Sequence, residues 1–258
     1  MYAAMTALVA CAAVSMQAQP LADPMIVAAR EAADAFAQSS PDYIVKRTTT
    51  RYQRHRPNSW RVRDTVTADV TAERRTETYA NIRVNGRPAK NLPSDGTWSD
   101  GEFSTMLVGI LSPKSAALFT NRRPDPIRNR PSYRYDFSVD QEHSGWRMEA
   151  AHVPGTSSVL RVSPAYSGSI WIDTQTGQTL RFEMSGRDVP VGFPLETVET
   201  AVDYDFVQVG NREYLLPAHS ETVTCARAGN ECYRNVTVFE EYRKFGADTS
   251  ISFGDGAK

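Results

Sequence analysis

The histidines are the first place to look for chemistry, because imidazole binds metals and transfers protons near neutral pH. The chain has four, at His55, His143, His152 and His219. They are scattered, and none has a second ligand at metal-binding spacing or a paired acid within a motif. The sequence therefore predicts no metal site and no cofactor.

A second chemical pattern is a pair of acidic residues, Asp203 and Asp205, separated by a single residue. On a strand they share one face, as do Glu240 and Tyr242. Paired carboxylates can act as general acid and base, as in glycoside hydrolysis, but residues alternating along a strand edge usually face solvent. No nucleophile, base and orienting group occur together in a recognisable motif, so we expect the protein not to be an enzyme.

Two of the three cysteines, Cys225 and Cys232, flank the turn-forming residues Ala-Arg-Ala-Gly-Asn-Glu between two runs of strand character. Opposed positions of a hairpin bring Cβ atoms close enough to bridge. We predict a Cys225–Cys232 disulfide in an oxidising compartment. Two facing free thiols are the alternative, and metal binding is disfavoured because no histidine or second cysteine pair accompanies them.

Residues 1–18 are small and apolar, and they lack the run of about 18 or more apolar residues that would span a bilayer. They predict an export signal, followed by a single domain over residues 19–258. Leu8-Val9-Ala10-Cys11 resembles a bacterial lipobox, so lipidation of Cys11 is the alternative to ordinary cleavage near Ala18. Either version places the protein in the periplasm or at the outer membrane of a bacterium.

The amino-acid composition limits the classes of partner and of fold. There are 29 basic and 30 acidic residues, a balance that disfavours a nucleic-acid partner. The hydrophobic content of 41% is enough for a substantial core. Alternating runs rich in Thr, Arg, Tyr and Val predict a mainly β fold with a few helices attached.

Three segments have helical character. Asp23-Pro24 begins the first, which is predicted to reach about Ala37. Ser99 and Glu102 have the spacing of a capping box, which predicts a second helix starting there. A third is predicted after Ser112-Pro113, through Phe119, with a loop over 120–130. The apolar face of the second helix consists of Phe103, Met106, Leu107, Ile110 and Leu111.

The rest of the chain reads as antiparallel strands. Trp60–Val70 alternates between an apolar and a polar face, as a half-buried strand does. In the C-terminal half, the segment from Asp203 to Pro217 predicts two strands joined by a Gly-Asn turn, and the same pattern recurs without helices between the strands. The sequence predicts an antiparallel meander.

Five motifs occur together in this chain: Gly101-Glu-Phe103, Ser112-Pro113, Gly168-Ser-Ile-Trp-Ile-Asp173, the Asp203–Pro217 hairpin and Asn235-Val-Thr-Val-Phe239-Glu-Glu-Tyr242-Arg-Lys-Phe245. Together they resemble a group of exported bacterial proteins, and the order of elements is similar to the lipoprotein-carrier superfamily of LolA, LolB and LppX type. The resemblance covers roughly residues 24–253. It implies a strongly curved antiparallel sheet, a half-open barrel, with an N-terminal helix and mid-chain lid helices at about 99–119. It also implies a hollow for an acyl chain or another apolar ligand.

These observations predict that the protein is a binding or carrier module for a lipid or a lipoprotein acyl chain. The alternative is a structural or interaction protein of the cell envelope whose sheet is filled by its own side chains; a hydrolase is third. Arg47, Arg51, Arg54, Arg56, Arg61 and Arg63 alternate with Thr and Asp, which predicts a solvated outer face rather than a lipid-headgroup site. The predicted ligand-binding residues are Phe103, Met106, Leu107, Ile110, Tyr135, Phe137 and Phe182.

Overall fold

The computed structural model describes residues 23–39, 41–73, 76–99, 102, 105–150 and 159–245. The predicted export signal over residues 1–18, the lipobox Cys11 and the predicted ligand-binding residue Phe103 lie outside this described part.

The described residues form two α-helices and thirteen strands. The helices are α1 (Pro24–Ser39) and α2 (Thr105–Leu111), and short 3-10 turns span Pro113–Ser115 and Gln141–His143. The strands are β1 (Tyr43–His55), β2 (Arg61–Glu73), β3 (Thr76–Val84), β4 (Arg87–Pro88), β5 (Leu118–Pro124), β6 (Ser132–Val139), β7 (Met148–Ala150), β8 (Leu160–Val162), β9 (Ala165–Asp173), β10 (Thr179–Arg187), β11 (Leu195–Val209), β12 (Arg212–Ala226) and β13 (Glu231–Lys244).

Eleven of the described strands form one antiparallel sheet in the order β4-β3-β2-β1-β13-β12-β11-β10-β9-β6-β5. The sheet does not close, because β4 and β5 remain as its two edges. Strands β1 and β13 pair from Tyr43 opposite Lys244 to His55 opposite Glu231, so distant parts of the chain meet inside the sheet. β7 and β8 form a separate ribbon. The predicted half-open antiparallel barrel is confirmed.

Both helices cover one face of this sheet, which we call the inner face. Ile26, Ala29 and Ala33 of α1 belong to the same buried cluster as Leu107 and Ile110 of α2, together with side chains of β6, β9, β10 and β11. Small alanines let α1 lie close to the sheet. Burial of each large apolar side chain contributes roughly 1.5–3 kcal/mol.

The predicted start of α1 is confirmed. The Asp23 carboxylate accepts a hydrogen bond from the Met25 amide at 2.9 Å, and Pro24 occupies the first helical position. The helix extends to Ser39, slightly beyond the predicted end. Among the helices described, none is long and apolar enough to cross a membrane.

The predicted helix over 113–119 is wrong. Only Pro113–Ser115 forms a helical turn, and Ala116 then adopts a left-handed conformation with φ of 46°. The chain continues as β5, with Leu118 opposite Ser138 on β6. A helix this short is marginal in water, whereas the free edge of β6 satisfies the backbone groups of an extended segment.

The predicted capping box at Ser99 is also wrong, because α2 begins at Thr105. The Ser99 hydroxyl instead bonds the carboxylate of Glu102. That carboxylate also lies 3.7 Å from the buried guanidinium of Arg47 on the sheet, a long-range contact that the local helix-start signal does not reveal.

Candidate functional site

The inner face has two parts with different chemistry. The apolar half lies beneath α1 and α2. The polar half lies beneath a segment that crosses the sheet between β4 and α2, and we call this segment the strap, defined as residues 89–99 with Glu102. Strand β1 runs through both halves, since Tyr43 and Val45 are buried in an apolar cluster while Arg47 and Arg51 are buried under the strap.

In the apolar half the structure brings together all the predicted ligand-binding residues that it describes. Met106 is partly buried against the cluster that contains the others. The aromatic rings make tilted and edge contacts, with Phe137 6.2 Å from Tyr166 and Phe182 6.2 Å from Tyr204. The buried members of the predicted set are Leu107, Ile110, Tyr135, Phe137 and Phe182.

The space between the helices and the sheet is small. A cavity of about 20 Å³ lies between Ala33 and Phe36 of α1, Leu107 of α2, and Tyr204 and Leu215 of the sheet. This volume is close to that of one water molecule. Sites for small-molecule ligands measure roughly 300–1,000 Å³. Together with the burial of the surrounding side chains, this volume indicates that the described part of the apolar half is filled by its own side chains.

Within the part of the chain that the structure describes, side-chain hydrogen bonds at α2 and the residues around it are few. The Arg30 side chain of α1 donates to the Leu111 carbonyl at 3.0 Å, and the Tyr204 hydroxyl donates to the Glu102 carbonyl at 2.9 Å. The Tyr135 hydroxyl donates to Asp23 at 2.9 Å. Burial raises the pKa of Tyr204 well above its ordinary value, so this hydroxyl remains a donor at physiological pH.

The polar half contradicts one prediction, because Arg47 and Arg51 do not lie on a solvated outer face. Their exposed fractions are 4% and 3%. They lie on the inner face of β1 together with Tyr43 and Val45, because all four occupy odd-numbered positions of this strand. This alternation was the signal in the sequence that could have identified the two arginines as buried. Arg56 and Arg61 of the same cluster are exposed, as predicted.

Arg47 has a crowded environment. It donates to the Tyr79 hydroxyl at 2.8 Å and to the Ser99 carbonyl at 3.2 Å, and it lies 3.7 Å from the Glu102 carboxylate. The Trp98 ring lies 5.9 Å from its guanidinium carbon. Burial alone would lower the pKa of Arg47, but the nearby carboxylates and Tyr79 outweigh it, and the pKa is raised. Arg47 is therefore a permanent buried cation.

Arg51 is fixed more completely. Two of its nitrogens donate to the Asp64 carboxylate at 2.7 and 2.5 Å, a bidentate pair. A third donates to the Asp95 backbone carbonyl at 2.7 Å, and the Asp95 carboxylate also pairs with Arg63. The strap is thus tied to the sheet by main-chain and side-chain groups together.

Hydroxyl side chains fill the rest of the polar half. Thr49 and Thr237 are 2.9 Å apart, and the Thr97 hydroxyl of the strap is 3.0 Å from that of Thr224. The Asn235 amide donates to the Thr97 carbonyl at 2.6 Å. Buried hydroxyls require such partners, since an unpaired one costs about 1–3 kcal/mol.

On the opposite, outer face a groove of about 360 Å³ is lined by Ser169, Arg181, Glu183, His219 and Glu221, among others. Several of its charged groups are paired. Arg181 bonds both Glu183, at 2.7 Å, and Asp203, at 2.5 Å.

The two acids that the sequence singled out as a possible catalytic pair are each bound to a different arginine. Asp203 bonds Arg181, whereas Asp205 bonds Arg128 at 3.0 Å. Burial of Asp203 would raise its pKa, but His219 and Arg181 lower it overall. Both acids are thus bound to cations. In the described part of the chain, no group of three or more His, Cys, Asp or Glu residues is placed to hold a metal ion.

A disulfide joins Cys225 and Cys232 at opposed positions of β12 and β13, the pairing that the sequence predicts. Their Cα atoms are 4.1 Å apart. The bond closes the hairpin at the end of the polar half, next to Thr224 and Tyr233.

Comparison with known proteins gives a likeness of fold. No family model matches the sequence, and no curated protein matches it. Among solved structures, a LolA superfamily protein from Nitrosomonas europaea is similar, at 9% sequence identity and a TM-score of 0.38. The match covers 86% of this chain and 94% of that one.

Proposed function

We propose that this protein is an exported, non-catalytic binding or carrier module of the bacterial envelope for a hydrophobic ligand, either a lipid or a lipoprotein acyl chain. The ligand enters the apolar half when α2 moves away from the sheet. The observation that carries this proposal is the composition of that surface, where α2 covers a continuous set of buried aromatic and aliphatic side chains on β6, β9 and β10.

The helix α2 is suited to movement because little of its stability is its own. It has seven residues, and isolated helices shorter than about 12–15 residues are marginal in water. Gly109 lies in its middle and lowers helix propensity by about 1 kcal/mol relative to alanine. Packing on the sheet therefore maintains α2, and a ligand that replaces this packing releases it.

The magnitudes allow such an exchange. Exposure of Leu107, Ile110 and Leu111 costs roughly 1.5–3 kcal/mol for each side chain, or about 5–9 kcal/mol together. Burial of an acyl chain contributes about 0.8 kcal/mol per methylene, so a chain of roughly sixteen carbons contributes about 12 kcal/mol. A long acyl chain can offset the opening of α2, whereas a short one cannot.

The Gly109→Ala variant tests the lid directly. A Cβ at this position meets no neighbouring atom within 4 Å, so the change strengthens the closed helix without altering the apolar surface. We expect uptake of a fluorescent long-chain fatty acid by the wild type, and uptake about fivefold weaker by Gly109→Ala, from the helix propensity gained. Gly192→Ala is the matched control, because a Cβ there also meets open space but lies in a loop away from α2.

A second candidate function follows from the cavity of about 20 Å³. A filled inner face is what a structural or interaction protein of the envelope would have. That function predicts no fatty-acid uptake by any variant, with Gly109→Ala only raising the melting temperature. Uptake that is equal in the wild type and in Gly109→Ala would show that ligand binds without movement of α2, and would overturn the lid.

A further inference from the structure

The ion pair between Arg47 and Glu102 is incomplete. The two charged groups are 3.7 Å apart, beyond hydrogen-bond distance, although the exposed fraction of Glu102 is 0%. The Arg47 Nε and the Glu102 Oε2 have no hydrogen-bond partner among the described residues. Buried charged groups normally use all their bonding capacity, because an unpaired buried atom costs about 1–3 kcal/mol or more. Arg47 therefore has binding capacity that the strap does not use.

An acidic group of another molecule would fit Arg47 better than Glu102 does. The guanidinium presents a planar fork that matches a carboxylate or phosphate through two parallel bonds. Glu102 is held by its own backbone and by the hydroxyl of Ser99, and does not reach this geometry. Among the described residues, Glu102 is the only carboxylate within 4 Å of Arg47, so its departure leaves a buried cation without a direct counterion.

Arg47 also borders the apolar surface. Its guanidinium carbon lies 5.9 Å from the ring of Phe239, which packs with Tyr43 and Val45. The Glu102 carbonyl accepts a bond from Tyr204, whose ring lies 6.2 Å from Phe182 in the apolar half. Glu102 therefore contacts Arg47 through its side chain and the apolar half through its backbone, and α2 begins shortly after it, at Thr105.

We infer that the ligand is an anionic amphiphile, whose carboxylate or phosphate replaces the Glu102 carboxylate on Arg47 while its alkyl chain enters the apolar half. This inference rests on the proposed function and adds to it the charge of the ligand. Glu102 acts as a built-in occupant of the anion site. Its displacement frees the strap end from which α2 continues, so binding of the acidic group and opening of the lid are coupled.

The test compares probes with the same alkyl chain and different head groups. Dodecanoic acid, dodecyl phosphate and dodecanol are titrated against the full protein at pH 8, below their aggregation concentrations. We expect both acidic probes to bind at least about tenfold more tightly than the alcohol, as a charge-assisted bond supplies. Hexanoate and inorganic phosphate form a separate arm, in which we expect no binding, because neither brings a long apolar chain.

Variants assign the preference to Arg47. Arg47→Gln should remove the difference between acid and alcohol, and Glu102→Gln should raise the affinity for both acidic probes by weakening the built-in competitor. The double variant Arg47→Gln with Glu102→Gln leaves no unpaired buried charge, so it serves if the single variant does not fold. Arg54→Gln is the matched control, because Arg54 lies on the opposite face of β1, over the ring of Trp60 at 4.3 Å.

The outcomes separate this inference from the proposed function. Binding of all three alkyl probes with equal affinity would overturn the anion site and leave the carrier function standing. Tight binding of inorganic phosphate in the absence of alkyl-probe binding would replace the amphiphile by a free anion. No binding of any of these probes would overturn the anion site, and if the long-chain fatty acid is not taken up either, the carrier function is overturned as well.

Discussion

The two halves of the inner face are closed in opposite ways. In the apolar half, α1 and α2 are held mainly by non-directional burial, with few polar anchors such as the bond from Arg30 to Leu111. In the polar half, the strap is held by directed bonds from Arg47, Arg51 and Asn235 to its carbonyls. Apolar burial accepts any partner of suitable size, whereas directed bonds require matching groups. Under the proposed function, the first half would therefore take alkyl chains of different length, and the second would select the head group.

The largest expected effect distinguishes the halves by stability. Phe182→Ala removes a fully buried ring from the apolar half and should lower the free energy of unfolding by about 3–5 kcal/mol. Thr237→Ala in the polar half removes one hydroxyl and leaves Thr49 without that partner, which should cost about 1–2 kcal/mol. Urea denaturation at neutral pH measures both. Equal losses would contradict the view that burial dominates one half and hydrogen bonds the other.

A second prediction concerns the buried charges. Arg47→Leu leaves Glu102 buried without its counterion and should destabilise the fold by about 3 kcal/mol or more. Arg47→Leu combined with Glu102→Leu replaces the pair by apolar groups and should recover most of that loss. A double-mutant cycle, measured by urea denaturation, gives the coupling free energy between Arg47 and Glu102. Additive losses would show that the two residues act independently and that the strap is not held by this pair.

The third prediction tests the covalent link beside the polar half. Cys225→Ala with Cys232→Ala removes a short cross-link and should cost about 2–3 kcal/mol, chiefly by releasing the unfolded chain. In thermal melts, reductant should lower the melting temperature of the wild type by an amount that corresponds to this loss. Reductant should not change the melting temperature of the double variant. Thiol labelling of the unfolded, unreduced wild type should modify neither cysteine. Full labelling of both would show that the disulfide does not form.

Local patterns in the sequence were sufficient to predict much of the fold. The period-two alternation placed β2, the helical spacing placed the apolar face of α2, and opposed positions in a hairpin placed the disulfide. Each signal lies within about twenty residues of chain, where geometry is set by backbone periodicity. The buried apolar residues of α2 and of β6 could therefore be anticipated from the sequence.

The polar half could not be predicted in the same way, because its contacts join distant segments. Nothing near Arg47 in the sequence indicates that Ser99 and Glu102 will cross over it. Strand β5 likewise depends on the free edge of β6, which local propensity does not reveal. The available signal was that Arg47 shares one face of β1 with the apolar residues Tyr43 and Val45, which indicates burial. The polar threonines that follow Arg47 obscured this signal.

The smallest expected effect concerns acid and the turn that supports α1. Asp173 is 1% exposed and accepts bonds from Arg130 at 2.7 Å and from the amides of Gln175 and Thr176 at 2.8 and 3.0 Å. Burial would raise the pKa of Asp173, but Arg130 and the two amides outweigh it and lower the pKa.

Because the folded-state pKa of Asp173 lies below its unfolded value of about 3.9, its contribution to stability is present above that pH and is lost as the pH falls through the folded-state value. Asp173→Asn should therefore lower the free energy of unfolding at pH 7 and flatten its decline between about pH 5 and pH 2. Asp140→Asn is the control, since the side chain of Asp140 is 83% exposed.

The consequence reaches the apolar half through the turn between β9 and β10. Gly177 in that turn lies against Ala28 of α1, so that a Cβ added at Gly177 would come within 3.0 Å of the Ala28 side chain. Loss of the Asp173 bonds should loosen α1 before it affects the strap. At pH 4, backbone hydrogen exchange in α1 should therefore be faster in Asp173→Asn than in the wild type, while exchange in the strap should be unchanged. Equal acceleration in both segments would mean that the two halves open as one unit.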